Sequence, residues 1–580
     1  MLGTARSLKS VTATAVRPQS RWLLPEAPDA DAVGALCRDL NLPEIVCRLL
    51  VARGYRDSES ARRYLRPRLD HLNDPSTLAD LDRAVERIVG AIHNKETILI
   101  HGDYDVDGIC STVILTRTFR WLGGSITPFI PHRRDGYDLT AAGVAAAKSA
   151  GATLVVTCDC GTSALAPIAD LNRNGIDVIV TDHHLPGGPL PESFAVLNPR
   201  KPECASQDKD LCAAGVAFKL AMAVTKAMGA SPNPVFNMLD LVALATIADV
   251  APLRGENRVL TIYGLKLLNN TKNTGLRAMI RAAGLDRKLI TSGRVGFILA
   301  PRLNAAGRVG SAMRGVELLL AADDATANPI ARELEELNGH RQQLDREVLD
   351  QAREMVRALD LDQTYGIVLA AEGWHPGVIG IVASRIVEEF GRPTILIALE
   401  GDEGKGSGRS ISPFDLHAGI SQCRELLLRF GGHRSAAGVT LARERVTEFA
   451  QRFNAVARAT LSPADLVPEL RADLEVELVE VTDGLEALLR HVEPCGIGNP
   501  SPVLIARAVR VAAPPKTIGK DGLRVLLHQN DTELTAIGWG MAWRAPELTV
   551  GATIDVAFRL ERDEWNGESQ LQARLADFRG

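Results

Sequence analysis

Between residues 76 and 200 the chain repeats one pattern, an apolar strand followed by a polar break and an amphipathic helix. Runs of apolar and β-branched residues occupy residues 97–100, 153–157 and 176–181. Continuous apolar strands that alternate with helices are typical of a parallel sheet covered on both faces. In such sheets ligands bind at the carboxyl ends of the strands. The pattern therefore predicts an α/β fold with its functional residues directly after the strands.

Each of these strands is followed by acidic residues or histidines, and a helix expected at residues 238–247 adds one more acid. In chain order they are Asp103, Asp105, Asp107, Asp159, Asp182, His183, His184 and Asp249. Because a parallel sheet brings its strand ends to one edge, we expect these side chains to meet. Carboxylates packed together repel one another unless cations offset their charge. The alternative is that these acids are solvated and lie in separate loops. It does not explain why three strands and one helix all end in acids or histidines.

The ligand types narrow the choice of metal. A set rich in oxygen, with one or two histidines and no thiolate, suits manganese or magnesium better than zinc. Asp105 and Asp107 are two residues apart and can face different ions, and Asp159 could bridge ions spaced about 4 Å apart. Two metal ions at that spacing can stabilise both the attacking and the leaving oxygen of an in-line phosphoryl displacement. The residues alone therefore predict metal-assisted hydrolysis of a phosphoester.

The rest of the chain predicts further domains. Residues 331–359 have the apolar spacing of one long helix, and residues 365–460 resume the strand–helix alternation. From about residue 470 five short β-rich runs follow, at residues 503–511, 523–528, 533–539, 553–560 and 571–578. A hairpin turn is expected at Asn566-Gly567. The fold class is α/β, with a parallel-sheet domain and a smaller α/β domain joined by a long helix, and a C-terminal β-barrel.

The 580 residues are too many for one core. Five segments are expected: an N-terminal arm with a helical segment, the first α/β domain, the connecting helix, the second α/β domain and the barrel. Their predicted ranges are residues 1–75, 76–325, 326–360, 361–462 and 463–580.

Composition excludes some classes of protein. The net charge of −5 excludes a generally basic, DNA-coating protein, so binding of nucleic acid requires a local groove. Nine cysteines without a CxxC pair predict reduced thiols in the cytoplasm. The apolar runs are too short to cross a bilayer. Residues 1–21 contain four basic residues and no acid, which favours a disordered basic arm over a presequence.

Eight motifs in order resemble the DHH phosphoesterase superfamily, and within it the bacterial 5′ exonucleases specific for single-stranded DNA. They are Asp105-x-Asp107, Asp159-Cys160-Gly161, Asp182-His183-His184, ADVAPL (248–253), RLNAAGR (302–308), GWHPGVIGIVASR (373–385), GSGRS (406–410) and GGHRSAAG (431–438). The resemblance covers residue 70 to the C-terminus. It implies two divalent cations, manganese or magnesium, and release of 5′-mononucleotides in DNA repair and recombination. It also implies single-stranded DNA, single-strand-binding protein and a RecQ-type helicase as partners of a cytoplasmic monomer.

The resemblance implies roles for the clustered residues. The catalytic set is Asp105, Asp107, Asp159, His183, His184 and Asp249, and all of these except His184 are implied metal ligands. The resemblance also implies a further metal ligand a few residues before the pair Asp105 and Asp107. The spacing is shifted in this chain, so Asp103 and His101 are both candidates, and Asp103 is the one predicted to bind metal. His184 would contact the scissile phosphate, and Asp182 would orient a neighbouring imidazole.

The later motifs supply expected substrate contacts. Glycine-rich turns let the backbone approach an anion, and arginine can form a fork with phosphate oxygens. The substrate-binding residues implied here are Arg302, Asn304, Arg308, Ser407, Arg409, Gly432 and His433.

The C-terminal barrel resembles an OB fold, which binds single strands by stacking bases on aromatic side chains. Trp539, Trp543 and Trp565 are the expected stacking residues, with Trp539 foremost. The expected phosphate contacts are Arg507, Arg510, Lys516 and Lys520. Truncation after about Ser462 is expected to leave a soluble nuclease with weaker binding to long strands.

Two other functions remain open at this point. A DHH phosphoesterase acting on short oligoribonucleotides or cyclic dinucleotides would share the metal motifs, but such enzymes usually end after the second α/β domain. A non-enzymatic replication scaffold with this fold would have lost metal ligands, whereas this chain retains them.

Overall fold

The computed structural model describes residues 20–565 and 568–580, and these residues form two compact units. The larger unit comprises residues 25–342 and 473–580, and the smaller unit comprises residues 343–472 with residues 20–24. Most of the predicted basic arm, residues 1–19, lies outside the described residues. Within the described ranges, no helix combines the length and the apolar character that crossing a membrane requires.

The N-terminal segment forms a short strand, β1 (Arg21–Leu23), and three helices. They are α1 (Ala30–Leu40), α2 (Glu44–Ala52) and α3 (Ser58–Leu65). Asp29 caps α1 by accepting hydrogen bonds from two backbone amides, and Asp57 caps α3 through the amide of Ser60. The helical segment predicted before residue 75 is therefore formed.

The first α/β domain is built on a fully parallel five-stranded sheet in the order β3-β2-β4-β5-β6. Alternate residues of its strands face two different cores, since Ile98 and Ile100 belong to one apolar cluster and Leu99 to another. The predicted parallel sheet covered on both faces is thus confirmed. Its strands are β2 (Thr97–Gly102), β3 (Ser125–Phe129), β4 (Leu154–Cys158), β5 (Asp177–Thr181) and β6 (Ala195–Leu197).

Helices cover this sheet, and the expected helix before Asp249 is α10. In chain order they are α4 (Leu81–His93), α5 (Val106–Trp121), α6 (Ala141–Ser149), α7 (Leu165–Arg173), α8 (Ala213–Ala227), α9 (Asn233–Phe236), α10 (Leu239–Ala248), α11 (Gly255–Leu268), α12 (Thr274–Ala282), α13 (Ser292–Arg294), α14 (Ala300–Val309) and α15 (Met313–Leu320). A π-helical turn, Val295–Leu299, lies between α13 and α14.

The predicted long helix is α16 (Asp324–Arg357), and it starts seven residues before the predicted residue 331. Asp323 accepts a hydrogen bond from the amide of Thr326 and so supports the earlier start. The first half of α16 contributes Leu334 to the core of the larger unit, and the second half contributes Val348 to a core of the smaller unit.

The smaller unit holds a five-stranded sheet in the order β10-β11-β9-β8-β7. Only β7 and β8 are parallel, so this sheet is mixed rather than a repeat of the first one. Its elements are β7 (Ile367–Glu372), α17 (Ile379–Phe390), β8 (Thr394–Glu400), β9 (Glu403–Arg409), α18 (Leu416–Ser421), β10 (Arg429–Gly432), β11 (Ala436–Ala442) and α19 (Val446–Thr460). A further strand, β12 (Glu469–Arg471), pairs with β1.

The C-terminal region forms a mostly antiparallel seven-stranded sheet, in the order β13-β14-β18-β19-β17-β16-β15, with an added β14–β16 pairing. Five of the strands match the predicted β-rich runs, and the short β13 and β15 were not predicted. The predicted turn at Asn566-Gly567 lies outside the described residues. The elements are β13 (Leu474–Glu475), α20 (Asp483–Leu489), β14 (Leu504–Val511), β15 (Lys516–Ile518), β16 (Gly522–Gln529), β17 (Thr532–Gly538), β18 (Thr553–Trp565) and β19 (Glu568–Arg579).

The C-terminal sheet shares one core with the N-terminal helices. Leu36 and Leu50 from α1 and α2 belong to the same buried cluster as Val525 and Phe558 from the sheet. Truncation after about Ser462 would expose this apolar surface to water. The shared core argues against a soluble truncated nuclease, and the outcome of this truncation stays a prediction.

Candidate metal centre

The register of the first sheet places three aspartates side by side. The last residues of β2, β4 and β5 are paired across the sheet. The next residues are Asp103, Asp159 and Asp182, and the amides of Asp103 and Asp159 continue the ladder by donating to carbonyls of the neighbouring strands. Asp159 has a φ of 65°, a left-handed conformation that aspartate adopts more readily than most residues. The three strand ends therefore reach one edge, as the sequence predicts.

Three groups of side chains at this edge have the spacing needed to hold a metal ion. Within each group the ligand atoms lie within 4.8 Å of one another. The groups are Asp107, His183 and Asp249; Asp159, His183 and His184; and Asp103, Asp105 and Asp159. Asp159 and His183 each belong to two groups, so the groups form one continuous cluster.

His183 lies at the centre of the cluster. Its Nε2 atom is 3.1 Å from Oδ1 of Asp159, 3.7 Å from Oδ2 of Asp249 and 3.8 Å from Oδ2 of Asp107. Both the Nε2 atom and the Asp159 Oδ1 atom are buried and have no hydrogen-bond partner among the described residues. Buried polar atoms are rarely left without partners. The donor set therefore fits divalent cations, which would satisfy these atoms.

Two helix starts hold the carboxylates of the first motif. Asp105 caps α5, since its Oδ1 atom accepts from the amides of Asp107 and Gly108 at 2.9 and 3.2 Å. The Asp107 carboxylate accepts from the amides of Ala213 and Ala214, at 2.7 and 2.8 Å, at the start of α8. A helix N-terminus favours negative charge. These contacts fix the direction of both carboxylates without using all of their lone pairs.

Burial and mutual repulsion oppose ionisation of the cluster. Burial, with a contribution from the charge of Asp105, raises the pKa of Asp107 to about 7. Burial, with the charge of Asp107, raises the pKa of Asp249 to about 8. The pKa of Asp159 is also raised, chiefly by burial. Bound cations reverse this balance, because their charge favours the ionised carboxylates.

The two adjacent imidazoles have opposite properties. Burial, followed by the charge of His184, lowers the pKa of His183 to about 3, so its ring is the neutral form that binds metals. Burial also disfavours charge on His184, but its 2.7 Å hydrogen bond with Asp182 and the charges of Asp182, Asp249 and Asp107 together outweigh burial and raise the pKa to about 9. His184 is therefore a cation at neutral pH, and Asp182 orients it.

Three family models match the chain. The model of the DHH family N-terminal domain matches residues 97–246, that of the DHHA1 domain matches residues 363–459, and that of the RecJ OB domain matches residues 472–577. Among curated proteins, the single-stranded-DNA-specific exonuclease RecJ of Escherichia coli is 36% identical over 558 residues, which cover 92% of this chain and 95% of the relative. The chain belongs to the RecJ family. The RecJ of Bacillus subtilis is 37% identical over 561 residues, covering 96% of this chain and 70% of the relative.

Solved structures of the RecJ family agree with this assignment. The crystal structure of RecJ from Thermus thermophilus in complex with Mn²⁺ has a TM-score of 0.83 and 32% identity, covering 97% of this chain and 79% of that chain. The corresponding complex with Mg²⁺ has a TM-score of 0.78 and 31% identity, covering 97% and 78%.

Two neighbours of His184 were missed in the sequence. The hydroxyl of Tyr137 lies 2.9 Å from Nε2 of His184, and Asp138 accepts a 2.6 Å hydrogen bond from the amide of Gly161. Both lie in the loop after β3, a strand that was not predicted from the sequence. The polar segment DGYD at residues 135–138 indicated a fourth loop at the same edge of this RecJ-family sheet.

His101 lies outside the cluster. Its ring is fully buried, tilted against Phe129, and its Nδ1 atom is 3.6 Å from Sγ of Cys160. Burial lowers the pKa of His101 to about 4. Of the two residues considered for the further ligand position, Asp103 is the one that the fold places with other carboxylates.

Residues of the RLNAAGR motif contact the segments that carry the metal-binding residues. The Asn304 side chain accepts a hydrogen bond from the amide of Val106, next to Asp105, at 3.1 Å. The buried Arg302 guanidinium donates to Glu335 on α16 and to the carbonyl of Ile298. These contacts give Arg302 a structural role, and substrate contact by Arg302, Asn304 and Arg308 stays a prediction.

In the smaller unit the predicted phosphate contacts lie on or beside β9 and β10, which β11 separates in the sheet. Ser407 and Arg409 belong to β9, and Gly432 ends β10, just before His433. The Arg409 guanidinium donates to the Ser407 hydroxyl at 3.2 Å. The start of α17 approaches this strand closely, since a Cβ at Gly380 would lie 2.8 Å from the Ser407 hydroxyl.

The C-terminal segment, which matches the RecJ OB domain, exposes two of the three predicted tryptophans, and both lie between β17 and β18. Trp539 is 55% exposed and Trp543 is 45% exposed, and the Trp565 side chain lies outside the described part. Arg507 forms ion pairs with Glu475 and Asp555. Both carboxylates compete with a phosphate for its guanidinium, and phosphate contact by Arg507 stays a prediction.

Proposed function

We propose that the protein is a metal-dependent exonuclease that degrades single-stranded DNA from the 5′ end to 5′-mononucleotides. The observation that carries the proposal is the cluster around His183, whose buried Nε2 atom lies within 3.8 Å of three carboxylates. Relatives at 36–37% identity are named single-stranded-DNA-specific exonucleases.

The residues divide into two sets that would hold the cations. Asp107, His183 and Asp249 would form one set, and Asp103 and Asp105 the other, with Asp159 shared between them. We infer manganese or magnesium, which suit oxygen-rich sites with imidazole. The structures of the Thermus thermophilus relative were determined in complex with these two ions. Held there, divalent cations would offset the charge of the phosphodiester and lower the pKa of water.

His184 would act on the substrate directly. As an imidazolium, its ring donates a hydrogen bond to Asp182 and contacts the Tyr137 hydroxyl. These two contacts hold the positive charge next to the metal-binding cluster. We assign it to a non-bridging oxygen of the scissile phosphate, where charge builds up during displacement. The Tyr137 hydroxyl would hold the ring when no substrate is present.

Contacts away from the reacting phosphate would come from two regions. We assign phosphate binding to Ser407, Arg409, Gly432 and His433, and base stacking to Trp539 and Trp543. Exposed aromatic side chains bind single strands of any sequence, because every base has a π-face.

We also infer a role in DNA repair and recombination, in the cytoplasm, where all nine cysteines would remain free thiols. Single-strand-binding protein and a RecQ-type helicase are proposed partners, and the protein is proposed to act as a monomer. The alternative, hydrolysis of short oligoribonucleotides or cyclic dinucleotides, is not favoured, because the chain also matches the RecJ OB domain.

The proposal is tested with oligonucleotides labelled at either end. Single-stranded DNA, duplex DNA and single-stranded RNA are compared with Mn²⁺, with Mg²⁺ and after chelation. We expect mononucleotides to appear first from the 5′ end of single-stranded DNA, and only with a divalent ion. Faster cleavage of dinucleotides than of long strands would favour the alternative function.

A further inference from the structure

Three chain segments meet where α10 ends, beside the metal-binding cluster. Asp249 is the C-cap of α10, and Val250 follows it directly. The π-helical turn 295–299 packs on this helix, since a Cβ at Gly296 would lie 3.6 Å from Cγ2 of Ile247. The loop before β14 completes the junction, because the Leu253 amide donates to the carbonyl of Ile497 at 2.7 Å.

A second link joins the π-helical turn to the same loop. The Ser292 hydroxyl, at the start of α13, donates to the carbonyl of Cys495 at 2.8 Å. All three segments belong to the larger unit. The junction is therefore a built contact between the first α/β domain and the segment that matches the RecJ OB domain.

Each segment exposes one large apolar side chain at this junction. Phe297 is 88% exposed, Val250 is 58% exposed and Ile497 is 54% exposed. A phenylalanine with almost its whole ring in water contributes little to folding stability. Single π-helical turns occur frequently at functional sites. The exposed ring of Phe297 is thus unexplained by the fold.

Val250 adds a second unusual feature. Its φ is 60°, in the left-handed region, where a β-branched residue is a genuine outlier. Such strain costs of order 1–3 kcal/mol and clusters at functional sites. Glycine would adopt this conformation without strain. Val250 keeps this conformation directly after the C-cap of α10, with more than half of its surface exposed next to Asp249.

We propose that Phe297, Val250 and Ile497 form a base-contact platform that holds the substrate strand between the metal-binding cluster and the OB domain. The ring of Phe297 stacks on one base, and the two aliphatic side chains contact that base or its neighbour. The proposal rests on the proposed function and names a positioning site within it. Its ligand is single-stranded nucleic acid, recognised by its bases rather than by its phosphates.

The position of the platform favours this occupant over a protein partner. Val250 is adjacent in sequence to Asp249, whose carboxylate lies 3.7 Å from Nε2 of His183. On its other side the platform continues into the loop that leads to β14. A strand that reaches from the reacting phosphate to the OB domain therefore has this apolar surface along its course.

The test combines a change in the Phe297 side chain with the removal of a single base from the strand. Binding of labelled single strands to full-length protein is measured by fluorescence anisotropy, and KM is measured in Mn²⁺. Each strand carries one abasic nucleotide, moved stepwise from the 5′ end. We expect wild-type affinity to fall about ten-fold at one or two adjacent abasic positions. Phe297→Ala should lower affinity for the intact strand by a similar factor and abolish its response to the abasic nucleotide.

Three further variants separate stacking from folding. Phe297→Trp should preserve the affinity, whereas Phe297→Leu should behave like the alanine variant. Val250→Gly should weaken strand binding without lowering Tm, because it removes backbone strain. Leu165→Ala, at an exposed leucine of α7, is the matched control and should change neither affinity nor KM.

An abasic effect that persists unchanged in Phe297→Ala would overturn the platform, and so would an intact affinity in that variant. A change in sedimentation of Phe297→Ala with normal strand binding would assign the patch to contact between copies. Failure of the wild type to degrade the intact strand would refute the proposed function instead. The anisotropy measurement would still decide on the platform, because it requires binding and no cleavage.

Discussion

The Nε2 atom of His183 lies 3.1 Å from the Oδ1 atom of Asp159, and neither buried atom has a hydrogen-bond partner in the described part of the chain. The two residues follow different strands, β4 and β5, of the parallel sheet. A fold selected for stability alone would satisfy or remove such atoms. Their persistence together is the strongest structural indication that a cation belongs between them.

Asp159 should be the most sensitive position of the cluster. Asp159→Asn keeps the side-chain shape and removes the charge shared by two ligand groups, so we expect cleavage to fall by more than about 100-fold. Binding of single strands should change by less than about three-fold. Initial rates on end-labelled strands and anisotropy measure the two effects. Asp170→Asn, at an exposed pair with Lys148, is the control. Near-normal cleavage by Asp159→Asn would refute the shared role.

Metal removal should make folding stability depend on pH. The raised pKa values of Asp107 and Asp249, about 7 and 8, mean that the folded state retains protons that the unfolded chain has released. His184, with a pKa of about 9, acts in the same direction above about pH 6.5. The free energy of unfolding of the metal-free protein should therefore fall between about pH 6.5 and about pH 8.5, by about 2 kcal/mol or more.

Mn²⁺ should reverse this trend, because it binds the ionised carboxylates of the folded state. The measurement is urea unfolding at several pH values, in chelator and in Mn²⁺. The stabilisation by Mn²⁺ should grow as the pH rises. A metal-free protein whose stability rises over this range would show that the carboxylates are ionised without cations.

Arg258 should be needed for folding rather than for chemistry. Its buried guanidinium stacks over the Tyr64 ring at 4.2 Å and donates to four backbone carbonyls, those of Tyr64, His491, Val492 and Glu493. Arg258→Ala leaves these acceptors buried, so we expect a loss of about 3 kcal/mol or more in unfolding free energy. Arg254→Ala, at an exposed pair with Asp210, should cost less than about 1 kcal/mol. Equal losses of unfolding free energy in the two variants would show that the buried contacts of Arg258 add no more stability than an exposed ion pair.

The smaller unit should contribute to substrate binding without affecting the metals. Arg409→Ala and His433→Ala change residues outside the three ligand groups, so calorimetric titration with Mn²⁺ should match the wild type. KM for single strands should rise about five-fold or more, since hydrogen bonds to charged groups contribute about 1.5–3 kcal/mol. Arg443→Ala, at an exposed ion pair with Glu372, is the control. Reduced metal affinity in either variant would show that the wrong chemistry was assigned to these turns.

Trp539 should matter for long strands only. Trp539→Ala removes a half-exposed ring of the OB domain, and losing one base stack should lower affinity for long strands by about ten-fold. Oligomers short enough to contact only the metal centre should be cleaved as before. The comparison of KM for short and long strands measures this difference. An equal loss on both would indicate that the ring supports the fold.

Much of the fold could be predicted because its signals are local. Strands and helices are encoded in the spacing of apolar residues over five to fifteen positions, and a parallel sheet follows from their alternation. The same local rule placed Asp103, Asp159 and Asp182 after three strands, and so predicted that they meet. The mixed sheet of the smaller unit was not separable from a parallel one, because pairing direction leaves little trace in a single strand.

By itself, the sequence determined which residues carry the chemistry and the edge of the sheet at which they meet. The tertiary structure decided what each side chain is free to do. Asp107 is held by amides 106 and 107 residues away, Arg302 is engaged by α16, and the Phe297 side chain remains exposed to water. The physical reason is that burial and hydrogen bonding depend on segments distant in sequence, whose approach is set by packing of the whole unit and by no short pattern.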